Sequence, residues 1–204
     1  MSWSTSEEER SEICRAISAI EGSRVLEIGA FKGETTRVLA EAACERGGYV
    51  AVIDPMRWSD EVVTHWPGSL TRLGGALLGD ASYEADFWQN VGALRSHVRL
   101  HRSTSCSPEL TDHVPPDLAE LDVIFVDGDP SYEGVGGDLW HWGRRTAPGG
   151  TIFVHHATPA FPGVMQALEE FGRAHDLRVE HSVTGSLAVM RVEASLLSAP
   201  RKVA

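Results

Sequence analysis

Val25-Leu-Glu-Ile-Gly-Ala-Phe-Lys-Gly33 is the stretch on which the fold turns. Val25 to Ile28 is a short aliphatic run of the kind that forms a buried strand, and Gly29 ends it. From Glu34 to about Arg46 the pattern changes to helical spacing, with Thr35, Val38, Leu39 and Ala42 on one face. The segment therefore reads as strand, glycine turn and helix. Gly29 and Gly33 permit a tight turn and close backbone approach, and a helix start offers N–H groups without intrahelical partners. By itself this is a turn that any α/β protein could carry. It is not the dinucleotide pattern G-x-G-x-x-G, because Ala30-Phe31 fills the middle and Phe31 would crowd a pyrophosphate.

The next strand sharpens the reading. Gly47-Gly48 stops the helix, and Tyr49-Val-Ala-Val-Ile-Asp54 follows, closed by Pro55. Asp54 lies 25 residues after Gly29, the spacing at which a carboxylate accepts both hydroxyls of a ribose. A nucleoside-containing cofactor without a pyrophosphate is the expectation.

Working outward, residues 6–21 read as a helix carrying Ile13, Ile17 and Ile20, with Glu7-Glu8-Glu9 as its solvated first turn. Further strands are expected at 98–101, 121–127 and 151–155, and helices at 82–96, about 105–113, 131–145 and 162–175. Two last strands, 177–183 and 186–192, are joined by Thr184-Gly-Ser186 and must form an antiparallel hairpin. Residues 57–80 read as an irregular insertion. With Tyr83 and Trp88, its Trp58 and Trp66 would form either an apolar lid over a ligand or a plain cover for the sheet edge.

This alternation predicts an α/β fold, a doubly wound, Rossmann-like, mostly parallel seven-stranded sheet with a C-terminal antiparallel hairpin. The expected organisation is an N-terminal helix (1–22), one domain (23–193) and a tail (194–204). Ligands of such sheets bind at the carboxyl ends of the strands. That singles out Glu27–Gly33, Asp54, Ser103–Ser105, Asp127–Asp129 and His155–His156.

Composition narrows the class. The chain has 204 residues, 42% of them hydrophobic and 23% charged, and a net charge of −11 without a basic stripe. Nucleic acid and anionic membranes are therefore not expected partners. No apolar run approaches the roughly 18 residues that span a bilayer. The start of the chain lacks the pattern of a secretion signal, and its three cysteines are odd in number and scattered, so a cytoplasmic protein is expected.

Beyond these readings, the string Val25–Gly33 resembles the first motif of class I S-adenosylmethionine (SAM)-dependent methyltransferases. Phe125-Val-Asp-Gly-Asp-Pro-Ser-Tyr-Glu-Gly134, then Asp138-Leu139, then Pro148-Gly-Gly-Thr-Ile-Phe-Val-His155 resemble its small-molecule O-methyltransferase branch. That branch includes the macrocin O-methyltransferase and cephalosporin hydroxylase-like proteins, and the resemblance covers roughly residues 20–192. It implies SAM as cofactor, a divalent metal, usually magnesium, as auxiliary, and a natural-product or sugar hydroxyl as acceptor. It also implies that Glu27, Gly29, Ala30, Phe31 and Gly33 form the turn for the methionine part of SAM and that Asp54 binds the ribose. Ser103, Thr104 and Ser105 would approach adenine, and Asp127 would face both methyl donor and metal. A homo-oligomer stays open.

Two positions depart from the branch. Pro130 stands where it has a histidine that serves as base, and His156 where it has a metal-binding aspartate. His155 or Asp129 is then the expected catalytic base, and Asp127 and His156 the expected metal ligands, with His155 as the alternative imidazole and Asp129 as a further ligand. Imidazole donors would favour a transition metal. Against this, strand alternation could send one of the two rings into the core. His141 reads as a surface or packing residue. Two rival functions stand beside the transferase: a cofactor-binding regulatory protein with lost catalysis, and a nicotinamide-dependent oxidoreductase, which the missing pyrophosphate glycine disfavours.

Overall fold

A computed structural model describes residues 5–57, 82–182 and 185–197. Trp58, Trp66 and Thr184, on which the lid and hairpin-turn readings partly rested, lie outside these residues.

Helix α1 (Glu7–Ser18) precedes β1 (Arg24–Ile28), α2 (Glu34–Cys44) and β2 (Tyr49–Ile53). Then come α3 (Glu84–Val91), β3 (Val98–His101), the single turn α4 (Pro108–Thr111) and β4 (Leu121–Val126). The chain continues through α5 (Tyr132–His141), β5 (Thr146–Val154), α6 (Pro162–His175), β6 (Val179–His181) and β7 (Ala188–Arg191). The seven strands form one sheet in the order β3-β2-β1-β4-β5-β7-β6. The first five run parallel, and β7 joins β5 antiparallel while pairing antiparallel with β6. The expected hairpin is therefore present, with its second strand placed between β5 and the edge.

Strand alternation sorts the core into two layers. On one face Leu26, Ile28, Ile124, Val126, Ile152 and Val154 pack with Leu139 and Trp142 and with Val164, Leu168 and Phe171 of α6. On the other, Val25, Val50, Val52, Val123, Phe125 and Phe153 pack with Ile13 and Ile17 of α1, Leu39 of α2, and Phe87 and Val91 of α3. Covered on both faces, β4 is buried along its whole length, as parallel central strands are.

Several elements are shorter than their hydrophobic patterns. The helix expected over 82–96 breaks at Gly92 and finishes as a 3-10 segment, Gly92–His97. That over 131–145 ends at His141, before the 3-10 turn Gly143–Arg145. Past the first break Leu94 still packs, partly buried, against the core, so the apolar spacing runs on although the helix does not. Pro148-Gly149, ahead of the strand expected at 151–155, is carried inside β5 beside an irregularity in its pairing with β4.

The ends of β1 and β4 meet at Gly29. Its φ is +81°, and a Cβ there would run into the Asp127 carbonyl and sit 2.7 Å from Gly128 Cα. The Asp127 N–H donates to Ile28 O at 2.8 Å, sealing the same junction. Gly29→Ala combines left-handed strain with a backbone clash and is expected to lower stability by about 2–4 kcal/mol. Urea unfolding checks this, and a midpoint equal to wild type would show that the junction relaxes freely.

Candidate active site

Asp54 ends β2 and is 3% exposed. Its Oδ2 accepts the Ala30 and Phe31 N–H groups at 2.8 and 2.9 Å, while Oδ1 accepts Met56 N–H at 2.6 Å and the Tyr83 hydroxyl at 2.9 Å. The acid thus ties the turn after β1 to the end of β2. The Ala30 and Phe31 amides are thereby engaged within the protein. Gly33 is also filled from within the protein: a Cβ on it would lie 2.7 Å from the Phe87 ring. Phe31 projects from the turn, 45% exposed at φ +48°, with its ring edge-on to Tyr83 at 5.1 Å.

Glu27, in β1, is fully buried. Its Oε2 accepts the Thr36 hydroxyl at 2.5 Å, whereas Oε1 has no hydrogen-bond partner among the described residues. Burial raises this carboxyl to about 8; Thr36 opposes the shift and the Asp127 and Asp54 charges add to it. Asp54 and Asp127 thus both bear on Glu27 where β1, β2 and β4 end.

Asp127 follows β4, and beside it lie both histidines that follow β5. His155 keeps the strand pairing, its N–H donating to Val126 O at 2.9 Å. His156 then turns into the left-handed region at φ +58°, a conformation that L residues hold only when their surroundings impose it. The kink cancels the alternation that would have parted the rings, and their centroids lie 4.2 Å apart. His155 Nδ1 is 2.7 Å and His156 Nε2 3.4 Å from Asp127 Oδ1. Among the described residues these three form a group able to hold a metal ion, with one ligand atom of each within 4.8 Å of the others.

The two rings differ electrically. Burial lowers His155, but its hydrogen bond to Asp127, that charge and Glu9 outweigh it, leaving it above its ordinary value. Burial pushes His156 down to about 4, with Asp127 opposing and His155 reinforcing the shift.

Glu9 was expected in a solvated run, yet it is 3% exposed. Its Oε2 lies 3.9 Å from His155 Nε2, and its Oε1 accepts Ser186 N–H at 2.6 Å. The legible signal was the spacing Ser6-x-x-Glu9, a capping box that α1 indeed uses. Nothing local shows where the carboxylate points.

Asp129 is not one of the three grouped residues; its oxygens accept Ser131 N–H at 3.1 Å and the Ser131 hydroxyl at 3.0 Å. Ser103, Thr104 and Ser105 follow β3, where the Ser105 carbonyl accepts Trp142 Nε1–H at 2.9 Å. Asp138, unremarked beyond its motif, is 1% exposed, and burial raises it to about 7 against a Ser105 hydrogen bond, with Asp129 adding. His141 is half-buried on α5.

The raised Glu27 carboxyl sets a pH dependence. Between 4.5 and about 8 the folded protein keeps a proton that the unfolded chain has released, so stability falls as pH rises through that window. Glu27→Gln removes the slope. Wild type should lose on the order of 2–3 kcal/mol more than Glu27→Gln between pH 5.5 and 8 in urea unfolding, and parallel losses would refute the assignment.

Comparison with known proteins bears on the family and the fold. Residues 26–157 match a family described as a methyltransferase domain. No curated protein matches. The O-methyltransferase NovP is similar in structure, with a TM-score of 0.66 at 17% identity over 90% of this chain and 79% of its own. An O-methyltransferase from Bacillus cereus in complex with SAH scores 0.65 at 14% identity over 95% and 84%. TomG from Streptomyces achromogenes, an O-methyltransferase involved in tomaymycin synthesis and in complex with SAM, scores 0.63 at 15% over 94% and 82%. With the family match spanning more than half its length, from the glycine turn to the histidine pair, the chain belongs to the methyltransferase domain family.

Proposed function

We propose that this methyltransferase moves the methyl group of SAM to a hydroxyl of a small molecule, assisted by a divalent cation at Asp127, His155 and His156. The observation that carries the reading is the convergence of those three side chains beside the carboxylates Glu27 and Asp54. SAM brings an ammonium and a sulfonium beside its carboxylate, and its net positive charge suits a place where burial, with the Asp127 and Asp54 charges adding, raises Glu27 and where one Glu27 oxygen has no partner among the described residues. The turn Gly29–Gly33, with Ala30 and Phe31 held by Asp54, would seat the methionine part. Ser103–Ser105 would border adenine, and Asp54 would act chiefly by holding the turn.

In the transfer, an acceptor oxygen attacks the sulfonium methyl carbon in line, the carbon–sulfur bond breaks, and S-adenosylhomocysteine (SAH) leaves. A cation on Asp127 and the histidines would supply charge that makes the acceptor hydroxyl more acidic. Asp129 is our candidate for taking the proton, since both His155 nitrogens already face carboxylates. The two imidazole donors favour manganese, iron, nickel or zinc over magnesium. The fold relative TomG supports a natural-product acceptor.

Two measurements test the reading. Calorimetry with SAH should show binding to wild type and a loss of about 1–3 kcal/mol in Asp54→Ala, as the turn loses a charged hydrogen-bond acceptor; unchanged affinity would remove Asp54 from the site. In SAM turnover with small-molecule hydroxyl acceptors, chelation should abolish SAH formation and manganese should restore it, and Asp127→Asn should stay inactive. Full turnover in chelator would refute the cation.

A further inference from the structure

Glu9 does more than a capping box requires. In such a box the glutamate needs only one oxygen to reach back to the N-cap N–H, and it can do so in water. Here Ser6 N–H donates to Oε2 at 2.7 Å, and Glu9 N–H donates to Ser6 Oγ at 3.2 Å. The carboxylate is nonetheless buried, a placement that disfavours a charge unless it is well partnered. Its Oε1 accepts the Ser186 N–H at 2.6 Å and lies 3.3 Å from the Ser186 hydroxyl. Gly185 packs so closely that a Cβ there would strike Oε1. The first helix and the turn before β7 thus hold the carboxylate in place, and Oε2 faces His155 Nε2 at 3.9 Å. Opposite it, His155 Nδ1 meets Asp127 at 2.7 Å.

We propose that Glu9 is a positioning residue of the site: it holds the His155 ring so that Nδ1, and not Nε2, is presented to Asp127 and to the cation. The proposal rests on the cation reading above. At 3.9 Å, beyond hydrogen-bond length, the Glu9 carboxylate acts on His155 by its charge, favouring the ring orientation and tautomer whose N–H points toward it, as carboxylates behind histidine ligands do. The arrangement also ties the site to α1, an element that lies before the family match at residues 26–157.

The test titrates the purified full chain with Co2+, followed by calorimetry and by the visible absorption that reports nitrogen ligation. Ser6→Ala removes the hydroxyl cap but keeps the Glu9 carboxylate; it should lower the thermal midpoint and leave Co2+ affinity within twofold of wild type. Glu9→Gln should weaken Co2+ by about tenfold or more and alter the absorption band, the range for outer partners of metal ligands. SAH binding by each variant verifies its fold. If Glu9→Gln does not fold, Glu9→Asp carries the test, since drawing the charge back by one methylene should weaken Co2+ severalfold. The proposal is overturned if the Glu9 variant that folds binds within twofold of wild type, or if Ser6→Ala weakens binding as much. A wild type that binds SAH but no Co2+ refutes the cation reading and this proposal with it, whereas binding unchanged by Glu9 refutes this proposal alone.

Discussion

The site depends on two parallel strands ending side by side with nothing between them. At Gly29 the chain leaving β1 touches the backbone leaving β4, and any side chain there would push Asp127 away from the glycine turn. The turn and the acid belong to segments about a hundred residues apart, so only this contact makes them one site. Asp54 completes it from β2, accepting two N–H groups of the turn on one oxygen and Met56 and Tyr83 on the other. The frame is preorganised by hydrogen bonds that leave little freedom to the loop.

Electrostatics then sets what the frame can hold. Glu27, Asp54 and Asp127 gather three carboxyl groups whose charges would repel one another at the strand ends, and of the two histidines it is His155 that Asp127 and Glu9 hold above its ordinary value. Burial makes each unbalanced charge unfavourable, which is why Glu27 holds its proton far above the usual carboxylate range. A cationic ligand relieves that repulsion. His155 and His156 are neighbours in sequence yet opposite in character: contact with Asp127 at 2.7 Å keeps one above its ordinary value, while burial drives the other to about 4.

Much of this was legible in the chain. Short aliphatic runs alternating with helical spacing predict the order of strands and helices, because burial on one face or two leaves its period in the residues. The glycine turn, the acid on the second strand and the Asp-Gly-Asp and Pro-Gly-Gly motifs marked where a ligand site would lie. Less legible were breaks such as that at Gly92, where Leu94 keeps the apolar spacing but the helix passes into a 3-10 segment. The glycines also showed only in the fold what they make room for: Asp127 packs against Gly29 and Phe87 against Gly33.

What the sequence alone determined, then, is the fold class and the family, since these follow from local pattern, spacing and motif. The tertiary structure decided which groups meet. A left-handed His156 turns both rings onto Asp127, where strand alternation would have parted them. Glu9 arrives from the first helix, through a contact with Ser186 that spans 177 residues of chain. No local pattern encodes such an encounter, because its distance is set by how the first helix and the last hairpin pack on the same sheet.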